Sequence, residues 1–247
     1  MRISFKLLSQ LILSLCIISC GVDAASKAEV KVEAEVANPV AMQVQTVLEV
    51  TSFAIHAEVD PLAFVKRDAQ VEADFTSKQP GFIKRHSGVD ESNNYVVVVY
   101  WESMEAAAAS MAKFMSDASV ADYAQMIDGP TMQMARYTLD TSFDAARSSF
   151  VEVMSFNLKE GADLAQFEIL NLKVETDFTG KQQGFLQRLT GVSQDGRQVV
   201  AVYWASKAES DAVLQAFMEA PIANQFLGEM DQASMRMGRY ELLNEVP

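Results

Sequence analysis

Hydrophobic and polar positions follow the same order twice along this chain. Residues 99–103 read VYWES, and residues 202–206 read VYWAS, 103 positions later. The same offset aligns residues 49–139 with residues 152–242. Because one offset holds over so long a stretch, the pattern predicts a tandem duplication of one structural unit.

Within each copy, alternating hydrophobicity predicts strands, and apolar residues three or four positions apart predict helices. The order is strand, helix, strand, strand, helix, strand, which is ferredoxin-like. The segment between the second helix and the last strand is less regular. The predicted strands are 49–55, one starting at Gly81, 95–101, 132–139, 152–158, one starting at Gly184, 198–204 and 235–242, and the predicted helices are 62–78, 105–115, 164–181 and 207–218.

The third predicted strand of each copy is apolar at every position. Residues 96–101 read VVVVYW and residues 199–204 read VVAVYW, so both faces of each sheet need cover. Two helices shield only one face, and the other would be an exposed hydrophobic patch. We therefore predict an α+β protein in which two ferredoxin-like units, 46–140 and 150–243, pack sheet to sheet with their helices outside.

The N-terminus is typical of an export signal. Arg2 and Lys6 precede an apolar stretch at 7–19 that is too short to span a bilayer. We expect residues 1–20 to be removed from the mature protein.

The end of this signal indicates how the chain is processed. Residues 17–21 read IISCG and resemble the bacterial lipobox, which predicts lipidation of Cys20 and a lipoprotein of the cell envelope that faces the periplasm. The alternative is ordinary cleavage after Ala24, which would release a soluble periplasmic or secreted protein. Residues 21–45, rich in Ala, Val, Glu and Lys, are interpreted as a spacer.

Composition narrows the class of protein further. Of 247 residues, 33 are acidic and 20 basic, and the net charge of −13 becomes −15 once Arg2 and Lys6 are removed. An acidic surface argues against a nucleic-acid partner, and 49% hydrophobic residues is too high for a disordered chain. Both cysteines, Cys16 and Cys20, belong to the signal region, so packing alone must hold the fold.

Two short motifs carry a resemblance to a known family. Gly-Phe pairs at 81–82 and 184–185 open the second strands, and the apolar third strands end in Trp-Glu-Ser or Trp-Ala-Ser before a helix. In these features each copy resembles the antibiotic-biosynthesis-monooxygenase-like domains of the dimeric α/β-barrel superfamily. The resemblance implies that one chain supplies both halves of a barrel, which allows the protein to be a monomer. The superfamily includes cofactor-independent oxygenases of aromatic compounds, haem-degrading enzymes, isomerases and domains without known activity.

The haem-degrading branch of that superfamily does not fit this sequence. Its members resemble one another in a Trp within the second helix and a His near that helix's end. Both histidines here, His56 and His86, lie in the first copy only. We expect no haem, no other cofactor and no metal site. The positions that would carry the tryptophan are Ser110 and Val213, and those that would carry the histidine are Val120 and Ala223.

Aromatic residues at the end of the third strand are candidates for substrate binding. Trp101 and Trp204 offer large flat faces on which a planar substrate stacks, although core packing is the more common role of such a Trp. Tyr100 and Tyr203 point to the opposite face of the sheet, so only one member of each pair can line a given cavity.

Arginines on the last strand have a structural and a chemical interpretation. Arg136 and Arg239 are suited to holding an anionic substrate. The start of the first strand lies beside the end of the last one in a ferredoxin-like sheet, which pairs Glu49 with Arg136 and Glu152 with Arg239. We favour the ion pairs.

Arginines on the second strand are the better candidates for chemistry. Arg85 and Arg188 have no obvious partner in the sequence and are predicted to stabilise an anion. His86 is the one plausible neutral-pH base on a core strand, but Leu189 replaces it in the second copy.

Polar residues also recur on the buried face of the first helix. Asp68 and Asn171 each follow a phenylalanine by four positions, and a polar group there needs a hydrogen-bond partner. A pocket between helix and sheet would provide one, and we include both as candidates for substrate binding. The chain has 13 methionines, and those of the first copy form either a soft binding surface or core filling, of which we favour core filling: Met111, Met115, Met126, Met132 and Met134.

Two functions remain open from the sequence. The first is a cofactor-independent monooxygenase-like enzyme that uses O2 on a small aromatic or apolar compound, with Arg85 or Arg188 stabilising the anion. The second is a non-catalytic envelope protein that binds a ligand or a protein. The expected partners are a small apolar or aromatic molecule and, through the lipid anchor alone, a membrane.

Overall fold

A computed structural model describes residues 45–143 and 148–243. The predicted signal at 1–20, with the lipidation site Cys20, lies outside the described residues, as does the predicted spacer up to residue 44. No helix among the described residues is long and apolar enough to cross a membrane.

The described residues form eight strands and six helices, and the strands and the four longer helices follow the predicted order. The first half contains β1 (Val47–Ala54), α1 (Pro61–Asp74), β2 (Phe82–Val89), β3 (Asn94–Trp101), α2 (Met104–Phe114), α3 (Ala121–Met126) and β4 (Gln133–Leu139). The second half contains β5 (Phe150–Phe156), α4 (Leu164–Lys173), β6 (Phe185–Val192), β7 (Gln198–Trp204), α5 (Lys207–Glu219), α6 (Pro221–Gly228) and β8 (Arg236–Leu242).

The recurring motifs make the junctions between these elements. Ser103 follows β3 by two residues, and its hydroxyl accepts a hydrogen bond from the Ala106 amide at 3.1 Å, which caps α2. Gly81 has φ of +76°, a conformation that side chains other than glycine rarely adopt, and its carbonyl accepts from the Glu102 amide at 2.8 Å. A Cβ atom at Gly81 would also lie 2.6 Å from the Cβ atom of Ala106. The Gly-Phe and Trp-x-Ser motifs therefore fix one corner of each unit.

The strands close into one antiparallel barrel in the order β1-β3-β2-β8-β5-β7-β6-β4. Within each half the sheet is extensively paired, but the halves meet along short seams. Gly88–Val89 pairs with 241–242 at one seam, and Thr138–Leu139 pairs with 191–192 at the other. The predicted fold class, two ferredoxin-like units packed sheet to sheet, is confirmed.

The third strands bury both faces, as their sequence indicates. Val98 and Tyr100 point into the barrel, where they pack with Ala201 and Tyr203 from the other half. Val99 and Trp101 point outward under the helices. The barrel interior is thus one apolar core shared by both halves, with a separate helix-covered core on each outer face.

Helix boundaries differ from the predicted ones in two places. The helices predicted at 62–78 and 164–181 stop at Asp74 and Lys173, where a 3-10 turn and a five-residue π-helix follow. The change of winding turns Phe75 and Phe178 inward onto Phe114 and Phe217, with ring centroids 5.6 and 5.4 Å apart.

The segment predicted to be irregular contains the short helices α3 and α6 in the two halves. Pro221 begins α6, at a position where a backbone N–H is not needed. Two residues of this helix, Ala223 and Phe226, are buried. So short an element shows little periodicity in the sequence.

Candidate functional site

Each half places one buried arginine between its sheet and its first helix. Arg85 extends from β2 and Arg188 from β6, and their residues are 3% and 5% exposed. The surroundings of the two guanidinium groups differ, and that difference defines the candidate site.

Arg85 is sealed by a paired carboxylate. Its Nη1 and Nη2 donate to the two oxygens of Asp68 at 3.1 and 2.5 Å, and Glu72 lies 3.6 Å from Nη1. The hydroxyl of Tyr123 donates to the same Asp68 at 2.7 Å. The prediction that Arg85 lacks a partner is therefore wrong, because a helix residue 17 positions earlier supplies one.

The electrostatics of this cluster favour a fixed ion pair. Burial alone would raise the pKa of Asp68, but the Arg85 charge and hydrogen bonds from Arg85, Ser87 and Tyr123 lower it. Asp68 in turn raises the pKa of Arg85 against the effect of burial. The cation of the first half is therefore neutralised within the protein.

Arg188 has neutral hydrogen-bond partners. Its Nη2 donates to the Asn171 side-chain oxygen at 2.5 Å and its Nη1 to the Asn171 carbonyl at 3.3 Å. Its guanidinium lies over the ring of Phe226, 5.8 Å from the centroid, where the first half has Tyr123. Within the described part of the chain, no carboxylate oxygen lies within 4.0 Å of its guanidinium.

Burial without a carboxylate changes the acidity of Arg188. Desolvation lowers its pKa to about 10, although Glu175 acts in the opposite direction. The group is still cationic at neutral pH. Asn171 thus has a buried polar partner, as predicted, but its neutral amide provides no negative charge to balance the Arg188 cation.

A cavity of about 220 Å³ opens beside Arg188, between the second half's sheet and helices α5 and α6. Its walls are mainly apolar and aromatic, with Trp204 and Phe226 among them. Three of its rim methionines, Met218, Met235 and Met237, are 55%, 37% and 45% exposed. These methionines form an adaptable apolar rim.

The core filling predicted for the methionines of the first half is wrong for Met115, Met132 and Met134, which are 77%, 50% and 42% exposed.

A hydrogen-bonded group forms the polar part of the cavity wall. Glu152 accepts from Arg239 Nε at 2.8 Å, from Ser210 Oγ at 2.5 Å and from Trp204 Nε1 at 3.2 Å. The ion pair expected between Glu152 and Arg239 is confirmed, as is the pair of Glu49 and Arg136 at 2.5 Å. Three donors hold the Glu152 carboxylate in place, so it orients this part of the wall.

The other predicted candidates lie away from this cavity or within its walls. Trp101 and Trp204 are 1% and 2% exposed and pack edge to face on Phe82 and Phe185 at 6.0 Å. Of the two, only Trp204 lines the cavity beside Arg188.

The tyrosines and the histidine lie inside the barrel. Tyr100 and Tyr203 are fully buried and their hydroxyls contact each other across the two halves. His86 packs among Tyr100, Tyr203 and Phe143, with centroids 6.2, 5.6 and 5.3 Å away. Burial, with Lys84 and Arg85, lowers the pKa of His86 to about 4. The base predicted from the sequence thus lies inside the barrel and does not line the cavity beside Arg188.

The described residues offer little to a metal or to haem. No group of three or more His, Cys, Asp or Glu side chains among them is placed to hold a metal ion. The residues lining the 220 Å³ cavity include no histidine, so they do not fit a haem with an axial imidazole.

Comparison with solved structures supports the fold. No protein-family model matches the sequence, and no curated protein matches it. A candidate monooxygenase from Lactobacillus acidophilus is 15% identical, with a TM-score of 0.59 over 81% of this chain and 95% of that one. An anthrone oxidase-like protein is 11% identical, with a TM-score of 0.59 over 81% and 92%.

Chlorite dismutases share the same architecture. A mutant of the enzyme from Candidatus Nitrospira defluvii is 8% identical, with a TM-score of 0.55 over 80% of this chain and 92% of that one. At these identities the likeness establishes a monooxygenase-like, ferredoxin-type α/β-barrel fold.

Proposed function

We propose that this protein is a cofactor-independent monooxygenase-like enzyme of the antibiotic-biosynthesis-monooxygenase type, with its active site in the cavity beside Arg188. The observation that carries the proposal is the buried Arg188 cation, which meets neutral partners at the wall of an apolar cavity. A buried charge without a counterion is costly, and an anionic ligand removes that cost.

Cavity size limits the substrate. An apolar cavity of roughly 150 Å³ accommodates a benzene molecule. The volume of about 220 Å³ therefore fits a substituted single ring or a compact two-ring compound. We expect an apolar aromatic substrate with one acidic hydroxyl, whose oxygen lies at Arg188 and whose ring contacts Trp204 and Phe226.

The reaction requires no group beyond the substrate and O2. Arg188 stabilises the phenolate, which makes the ring electron-rich enough to reduce O2. A CH2 group conjugated with that ring loses two hydrogens and becomes a carbonyl. One oxygen atom of O2 becomes the carbonyl oxygen, and the other leaves with the two hydrogens as water.

Only one such site per chain follows from the arginine environments. The Asp68 carboxylate is already paired with Arg85, and a substrate anion would have to displace it from a buried ion pair. Arg85 and Asp68 are therefore assigned a structural role, whereas Arg188 and Asn171 bind the substrate anion.

Oxygen uptake by the purified protein tests the proposal. Small phenols with an activated CH2 group should be consumed with one O2 per turnover, without accumulation of hydrogen peroxide. Arg188→Gln should lower kcat/KM by about a hundredfold, which is the loss of one anion-stabilising donor. Lys173→Gln removes the same charge from an exposed position at the end of α4 and should leave the rate unchanged.

The hydrogen bonds of Glu152 favour a second candidate, a binding protein without catalysis. Glu152 is held by three donors and His86 lies inside the barrel, so a substrate must reach the site already ionised. Binding of the same phenols without oxygen uptake, lost in Arg188→Gln, would favour the binding protein. No binding and no uptake would exclude both.

We also propose that the chain acts in the cell envelope as a lipoprotein anchored through Cys20 and that one chain forms the complete barrel. The positive start, the short apolar stretch and the lipobox-like ISCG sequence support the anchor. Mass spectrometry of the mature N-terminus tests it, and an unmodified start at Ala25 would refute it. A monomer is the expected result of light scattering on the anchor-free protein.

A further inference from the structure

The open end of the barrel is a second cavity, which shares Met237 with the wall of the site proposed above. It has a volume of about 930 Å³ and is lined by the N-terminal parts of β4 and β8 together with residues of β1 and β5. β4 and β8 pair across the seams between the halves only at their C-terminal ends. This cavity is called the barrel mouth below.

Two arginines of the second half lie side by side at the barrel mouth. Arg197 donates from Nε to Ser155 Oγ at 3.1 Å and from Nη2 to the Ser155 and Ser234 carbonyls at 3.0 and 2.6 Å. Ser155 is directly opposite Arg236 in the β5–β8 pair. Cα atoms of opposite residues are roughly 5 Å apart, so both arginines belong to one small area.

Both guanidinium groups have neutral partners. Arg236 donates from Nη1 to the side-chain oxygen of Gln133 at 2.6 Å, across the mouth. Gln133 is the residue of the first half that corresponds to Arg236. Across the described ranges, neither Arg197 nor Arg236 has a carboxylate oxygen within 4.0 Å. In a chain with 33 acidic and 20 basic residues, two neighbouring unpaired cations are unexpected. Two cations in one small area repel each other, and an anion bound between them offsets that repulsion.

The nearest carboxylates are already used in turns. Asp90, on the wall of the mouth, accepts from the Ser92 and Asn94 amides at 2.8 Å each and from the Asn94 side chain at 2.9 Å. Asp195, in the turn before Arg197, accepts from the Ser193 hydroxyl, and this hydrogen bond lowers its pKa, with a smaller contribution from the charge of Arg197. Neither carboxylate forms an ion pair within 4.0 Å of the two guanidinium groups.

Deeper in the mouth the walls become apolar. Val50 and Val153 line it together with Tyr137 and Tyr240. Gly238 has no side chain, and the Tyr240 hydroxyl occupies the space where a Cβ would stand. An occupant therefore meets cationic groups at the rim and aromatic and aliphatic groups further in.

We propose that the barrel mouth binds an amphiphilic organic anion, with its acidic head on Arg197 and Arg236 and its apolar body directed towards Tyr137 and Tyr240. Guanidinium groups match carboxylate and sulfonate heads through paired N–H donors. The first half has Asn94 and Gln133 at the equivalent positions, so the mouth binds the head at its second-half side alone.

Titration with 8-anilinonaphthalene-1-sulfonate, an aromatic sulfonate, tests the proposal. The double variant Arg197→Asn, Arg236→Gln places the first half's own residues at the two positions. It should raise the Kd at least about tenfold, the loss expected for charged hydrogen bonds. The double variant Lys78→Gln, Lys181→Gln removes two exposed charges elsewhere and should keep the Kd within twofold.

The proposed active site is distinguished by Arg188→Gln. Binding at the mouth predicts that this variant keeps the sulfonate affinity and that amide NMR shifts on titration cluster at Ser155, Arg236 and Gly238. Equal affinity in the wild type and the arginine double variant would overturn the proposal. So would loss of binding in Arg188→Gln alone, or amide shifts confined to α5 and α6. If the double variant is unfolded by circular dichroism, Arg236→Gln at an exposed side chain gives the same test.

Discussion

Because His86 is buried inside the barrel, we expect its titration to make the stability of this protein depend on pH between about pH 4 and pH 6.5. His86 is 5% exposed, and burial, with Lys84 and Arg85, lowers its pKa from 6.5 to about 4. The unfolded chain therefore binds a proton near pH 6.5 that the folded chain does not bind until near pH 4. Stability that is present above pH 6.5 is lost as the pH falls towards 4.

The size of the effect follows from the two pKa values. With 6.5 in the unfolded chain and about 4 in the folded one, lowering the pH from 7 to 5 removes about 2 kcal/mol of unfolding free energy. This corresponds to a fall in Tm of roughly 4 to 8 °C for a domain of this size. Burial also raises the pKa of Glu49 and of Glu72, so the contribution of His86 has to be isolated by substitution.

Substitution with the second half's own residue isolates this contribution. His86→Leu places at position 86 the residue found at Leu189, and its urea-unfolding free energy should vary by about 2 kcal/mol less than the wild type between pH 7 and pH 5. His56→Gln, a change outside the barrel, should retain the wild-type slope. Parallel curves for the wild type and His86→Leu would refute the assignment of the pH dependence to His86.

Three further predictions concern the two buried arginines and the turn at Gly81. Asp68→Asn leaves Arg85 without its main counterion and should cost about 3 to 5 kcal/mol in urea unfolding; a loss below about 1 kcal/mol would contradict the ion pair. The pair Asn171→Asp with Phe226→Tyr should seal Arg188 as Arg85 is sealed, abolishing phenol binding in calorimetry without lowering Tm, and retained binding would remove Arg188 from the site. Gly81→Ala should destabilise by about 1 to 3 kcal/mol in thermal unfolding, because of its positive φ and the close Ala106 side chain; an unchanged Tm would contradict a rigid corner.

The fold was predictable because its signals are local. Six consecutive apolar residues ending at Trp101 require cover on both faces, and the barrel provides it. The two edge ion pairs followed from the neighbouring positions of the first and last strands. The short helix α6 and the π-helix at Val174–Phe178 were missed, since each is too brief to establish a period.

The site was predictable only in part, because its decisive contacts are not local. The sequence singled out Arg188 and Asn171 separately and could not show that they touch. Nor could it show that Tyr123 reaches Asp68 across 55 positions. A comparison of the two halves position by position, for lost charges or hydroxyl groups, would have pointed to this difference between the two arginines. Asp68 corresponds to Asn171, and Tyr123 corresponds to Phe226.

The two differences between the halves, Asp68 against Asn171 and Tyr123 against Phe226, explain how one architecture holds both a stabilising cluster and the proposed binding cavity. In the first half, a buried carboxylate neutralises Arg85, and a partner lost from such a cluster costs about 3 to 5 kcal/mol. In the second half, Asn171 holds the guanidinium in place with a neutral oxygen, so the charge is left for a ligand. Both halves contribute to the same barrel interior, so the Arg85 ion pair helps to hold the sheet that carries Arg188. The proposed binding site can therefore keep its buried cation without a carboxylate partner while the other half supplies an ion pair to the shared fold.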